Sequence, residues 1–151
     1  MARLARLRAL LPALWAGVLL CVALIATPAP FATLATTDAG RVVARIFLQE
    51  AHLSLALSVV LLLLERHASR QATADGRAVS AFSVELTLVL GALFCTVAGY
   101  FALQPMMAAA RAGQGGASFA LLHAISLALF GLKIVLVLAL AWRHSAPVRP
   151  D

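Results

Sequence analysis

Four long apolar stretches, at residues 9–27, 42–64, 82–103 and 119–142, constrain this chain more than any other feature. A hydrocarbon core about 30 Å thick is crossed by ~20 apolar residues in a helix, and the four stretches are of about that length. None shows the alternation of a barrel strand, so each predicts a transmembrane helix. Composition agrees: 63% of the 151 residues are hydrophobic and 12% charged, against about 25% charged in soluble domains. A water-soluble globule could not hide that much apolar surface, and a disordered chain would not carry it. The expectation is one all-α domain over residues 1–151, an integral membrane four-helix bundle whose first partner is the lipid bilayer.

Charge placement sets orientation and removes one function class. The formal net charge of +6 could suit nucleic acid, but the arginines sit at the ends of apolar runs rather than along an exposed face, so no nucleic-acid partner is expected. Arg3, Arg6, Arg8, Arg66, Arg70, Arg77, Arg143 and Arg149 flank the spans on one side; Arg41, Arg45 and Arg111 flank them on the other. Cytoplasmic loops carry the excess of basic residues, so both termini are expected in the cytoplasm, and in a bacterium the membrane is the inner one. Arg3, Arg6 and Arg8 also resemble the start of a secretion signal. The apolar stretch behind them exceeds a signal's 7–15 residues and no Ala-x-Ala site follows, which predicts a retained span.

The connections carry their own punctuation. Thr27-Pro28-Ala29-Pro30 is expected to break the first helix and Thr37-Asp38 to cap the second. Gln104-Pro105 should end or kink the third. Gly113, Gly115 and Gly116 mark a turn, with Ser118 opening the fourth helix. Residues 65–80 read as a polar, Ala/Arg-rich loop, the most mobile part of the chain.

Within the spans, small and polar residues are the informative ones. Gly91, Cys95 and Gly99 recur every four residues and form a stripe for close helix packing, inside the bundle or in a homo-oligomer. Arg41, Arg45, Gln49 and His52 share one face of the second span, with Glu50 on the opposite face. His123, Ser126, Phe130 and Lys133 share a face of the fourth. Polar groups are expensive in hydrocarbon and mark sites or specific packing. Arg45, Gln49, His52, Tyr100, Gln104 and His123 all fall in the half of the membrane away from the termini, so they are the candidate binding cluster. Lys133 either snorkels or pairs with a carboxylate, Glu50 or Glu85. These stripes either line a small transport site or satisfy one another and hold the bundle together.

Metal and enzyme signatures are weak. His52 and His123 suit copper or haem iron, and Cys95 with Met106 and Met107 could add soft ligands. The two histidines differ in depth by about 10 Å, and no paired-histidine, C-x-x-C or repeated-Met motif occurs. Cys21 and Cys95 read as inert intramembrane thiols. No resident cofactor and no catalytic activity are expected, with copper or haem the alternative.

Four segments carry a resemblance: Thr27-Pro28-Ala29-Pro30-Phe31; Ala39-Gly40-Arg41-Val42-Val43-Ala44-Arg45-Ile46-Phe47; Tyr100-Phe101-Ala102-Leu103-Gln104-Pro105; and Phe119-x-x-x-His123-x-x-Ser126. In this order on four spans the chain resembles the bacterial domain of unknown function 4149 family, which is similar to eukaryotic transmembrane protein 205. The resemblance implies a four-helix integral membrane protein of unestablished function. The wider group is similar to copper-resistance D-type membrane proteins and to a haem-associated oxidase of porphyrin synthesis. That relation implies no ligand residues here, because no matching motif carries them over.

Overall fold

The computed structural model describes residues 2–76, 83–114 and 116–145, and every element in it is helical. Phe82, Arg77, Gly115 and Arg149 lie outside the described residues. The elements are α1 (Ala2–Cys21), a π-helical turn (Val22–Ala26), α2 (Pro28–Thr33), α3 (Thr36–Ala74), α4 (Val84–Thr96), a second π-helical segment (Val97–Ala102), α5 (Leu103–Arg111) and α6 (Phe119–Ser145). They run on into four stretches long and apolar enough to cross a membrane, Arg3–Thr33, Thr36–Ala74, Val84–Arg111 and Phe119–Ser145.

Pro28, expected to break the first helix, and Pro105, expected to end or kink the third, both lie within continuous helical spans. A proline lacks the N–H that an α-helix would place on the carbonyl four residues back. Ahead of Pro28 the chain widens by one residue, and the Thr27 N–H bonds the Val22 carbonyl at 3.0 Å. Pro28 then opens α2, where a missing N–H costs nothing. The segment Val97–Ala102 does the same ahead of Pro105, and the helix continues to Arg111. Both wide turns lie in the half of the bundle away from the N-terminus of α1.

Two other expectations change. Thr37 and Asp38 lie within the first turn of α3, which begins after Ala35 with no side-chain cap; Asp38 instead pairs with Arg41 at 3.1 Å. Residues 65–74, read as a loop, continue the helix. Ala68, Ala72, Arg66, Arg70 and Gln71 are good helix formers, Gln71 meets His67 one turn back at 2.8 Å, and the helix stops only near Gly76, whose φ is 75°. Ser118 does open α6, accepting the Leu121 N–H at 3.3 Å.

The four spans form a ring in which α6 and α3 each pack against α1 and α4. The apolar core lies between all four: Trp15, Ala16 and Leu19 from α1, Leu61 from α3, Val89 and Ala92 from α4, Val137 and Leu140 from α6. Outward faces carry Leu14, Leu24, Val59, Phe94, Leu127 and Val135, all exposed, as lipid-facing surfaces should be. Close approach of the third span to α6 depends on glycine: a Cβ on Gly99 would lie 3.1 Å from the Leu129 Cβ, and one on Gly91 3.0 Å from a Leu136 methyl. Cys95 is buried between them.

One end of the bundle is held by ion pairs between side chains. Arg8 at the start of the first span meets Glu65 through Nε at 3.0 Å and Nη2 at 2.5 Å. His144 Nε2 lies 3.2 Å from the same carboxylate. Arg143 and Glu85 close at 2.7 Å. Four helices thus meet at one level, and Trp142 stands exposed beside it, as an interfacial aromatic does.

Candidate functional site

The charged centre of the protein is a pair that bridges the ring. Glu50 of α3 and Lys133 of α6 project inward, and Lys133 Nζ donates to Glu50 Oε1 at 2.7 Å with both side chains 4% exposed. Of the two carboxylates open to Lys133, Glu50 takes it, and Glu85 binds Arg143 instead. Lys133 lies ten residues before Arg143, about 15 Å at 1.5 Å per residue, half the depth of a ~30 Å core. An isolated charge there would be costly, and pairing with hydrogen bonds offsets the cost. Edge-to-face contact of Phe47 and Phe130, 5.1 Å between centroids, and the Phe130 ring 4.8 Å from Nζ cover the pair.

A relay of neutral groups extends from the carboxylate. Ser54, one turn beyond Glu50, donates its hydroxyl proton to Oε1. Its oxygen accepts the Trp15 indole N–H at 2.9 Å, which ties α1 into the network. Ser58 closes the row on the Ser54 carbonyl at 2.7 Å. On the other side lies a cavity of about 30 Å³, lined by Phe47, Glu50, Cys95, Thr96, Gly99, Tyr100, Ser126, Phe130 and Lys133. That exceeds the ~10–15 Å³ one water needs. Ser126 Oγ donates to the Gly99 carbonyl at 2.9 Å, a contact made to the π-helical segment, and Thr96 Oγ1 donates to the Ala92 carbonyl at 2.9 Å.

The six residues of the candidate cluster are not brought together around this cavity. Tyr100 lines it. Arg45, Gln49 and His52 are exposed on the outer face of α3, and Gln104 is half-buried. His52 bonds the Leu48 carbonyl of its own helix through Nδ1 at 2.7 Å and meets Phe101 edge to face. His123 is exposed and stacks on Phe119, whose ring also carries Arg111 at 4.5 Å. The physical reason is local satisfaction: a histidine that bonds its own helix, or an arginine near a span's end, tolerates an outward face, whereas a mid-membrane carboxylate needs a cation. So Glu50, set opposite the expected face, is the inward residue.

Trp15, Ser54, Ser58 and Thr96 escaped the sequence reading. The spacing Glu50-x-x-x-Ser54-x-x-x-Ser58 places all three on one helical face and was the available signal; nothing local marks Trp15 or Thr96 as partners.

His52 and His123, the residues that suited copper or haem iron, are not brought together. His52 and His123 face outward from different helices, Met106 is exposed, and Cys95 is buried against α6. Among the described residues no three His, Cys, Asp or Glu side chains converge as a metal site would require. Neither a curated protein nor a solved structure matches the chain. A family model does, over residues 10–115, and the chain belongs to that family, described as a domain of unknown function (DUF4149).

Proposed function

We propose that this membrane protein is a non-catalytic, structural or accessory bundle, whose buried charges hold four helices in one register. The observation that supports this reading is pairing. The buried charged side chains among the described residues, Glu50, Glu65 and Lys133, each have an oppositely charged partner on another helix, including a histidine when protonated. Such pairs add specificity of assembly more than stability. In this reading both termini face the cytoplasm, the membrane is the inner one in a bacterial cell, and the outward faces meet lipid or another subunit.

A variant cycle on the central pair tests the registering role. Glu50→Gln or Lys133→Met alone leaves an unpartnered polar group and should lower unfolding stability in detergent by roughly 3–5 kcal/mol, the cost of breaking a buried pair. Glu50→Leu with Lys133→Met removes both charges and should recover most of that loss. Singles that unfold like the parent chain would overturn the reading.

A further inference from the structure

We propose that the cavity beside Glu50 and Lys133 is a binding site for a small monovalent cation, which displaces a proton from Lys133 as it enters. This goes beyond the accessory role and stands or falls separately from it.

The argument begins with where the hydroxyl protons go. Ser126 commits its proton to the Gly99 carbonyl and Thr96 commits its own to the Ala92 carbonyl. Each hydroxyl oxygen therefore has only lone pairs to offer the cavity that both residues line. Ser54 has given its proton to Glu50. Both the serine and the lysine bond fall on Oε1, which leaves Oε2 as the carboxylate oxygen for a further ligand. The lining is thus rich in acceptors, with hard oxygen donors of the kind that bind hard cations. Phe47 and Phe130 supply apolar walls.

Charge balance selects the class of ion. One carboxylate borders the cavity, so in a low-dielectric interior one positive charge is neutralised and a second is not. Lys133 supplies that charge as a cation tethered to the chain. A free cation can take its place only if the ammonium gives up a proton. The step is balanced: the Lys133 ammonium loses H⁺ to solvent and becomes a neutral amine, while M⁺ binds the Glu50 carboxylate, so the net charge of the site is unchanged. The titratable and charged groups facing this pair are Cys95 and Tyr100 from the third span; α1 contributes Trp15, which is neutral, through Ser54. The cavity of about 30 Å³ has room for an ion of water size.

Full-length protein in detergent, titrated with NaCl or LiCl against choline chloride at matched ionic strength, tests this directly. Proton release read by an indicator dye should accompany sodium or lithium but not choline, with thermal stabilisation alongside. Apparent affinity should rise roughly tenfold per pH unit where one proton leaves per ion bound. Lys133→Met should still bind sodium, but the proton released then comes from Glu50, so the pH dependence should differ from that of the parent chain; Glu50→Gln should show no response. If those variants fail to fold, Ser126→Ala and Thr96→Ala keep the pair and should weaken sodium affinity several-fold. A folded parent chain with no ion-specific release or stabilisation from neutral to alkaline pH, or equal responses to choline, overturns the proposal. So does affinity unchanged in both hydroxyl variants.

Discussion

At the scale of single residues, the decisive choice is which polar group is allowed inside. Glu50 and His52 are two positions apart on one helix, and only the carboxylate turns inward, because only it has a cation to meet. The helical period separated these faces correctly in the sequence. It did not say which face was interior, since an arginine–glutamine–histidine face looks more like a lined site than a lone glutamate does. Lys133 was legible as a residue needing a carboxylate; its choice of Glu50 over Glu85 depends on the stagger of two helices, which residue spacing along one chain does not encode. Trp15 gives a test at this scale. Its indole N–H makes one neutral bond and its ring is buried in the core, so Trp15→Phe loses the bond and leaves a cavity and should cost roughly 2–3 kcal/mol in unfolding, measured in mixed micelles. Ser54→Ala leaves no comparable cavity but unpairs Trp15 and Glu50 together, so it should also destabilise by roughly 1–3 kcal/mol.

At the scale of elements, the third span approaches α6 through Gly91 of α4 and Gly99 of the π-helical segment, and the two contacts differ in kind. The atom facing Gly91 is a Leu136 methyl at the end of a rotatable side chain, whereas Gly99 faces the Leu129 Cβ, fixed to its backbone. Gly99→Ala should therefore destabilise by roughly 1–3 kcal/mol, as overpacking does, and Gly91→Ala by less. Equal thermal midpoints for both variants and the parent chain would contradict this packing. The four helices themselves were plain in the sequence, since apolar length is a strong signal. Their ends were not. Pro28 looked like a stop and Pro105 like a stop or a kink, but a single extra residue per turn accommodates each, and hydropathy does not distinguish an α turn from a π turn. The continuation of α3 to Ala74 was hidden for the opposite reason: its polar composition masked its helix propensity.

At the scale of the whole molecule, Arg8, Glu65, Glu85, Arg143 and His144 tie one end of the bundle with ion pairs between helices, while the other end carries the Asp38–Arg41 pair within α3 and the Arg111, Phe119 and His123 stack. With the arginine excess at the tied end, that end should face the cytoplasm. Reporter fusions after Arg70 and after His144 should read cytoplasmic and a fusion after Gly113 external; the reverse pattern would invert the proposed orientation. The bond across the ring also sets a schedule for biogenesis. Glu50 and Lys133 stand 83 residues apart in the chain, so a ribosome adding ~5–20 residues per second leaves the second span without its partner for roughly 4–17 s. During that interval the acid must wait at the membrane surface, enter protonated, or be sheltered by the insertion machinery. The fourth span is the one that brings the cation, so nascent chains halted before it carry an unmatched carboxylate.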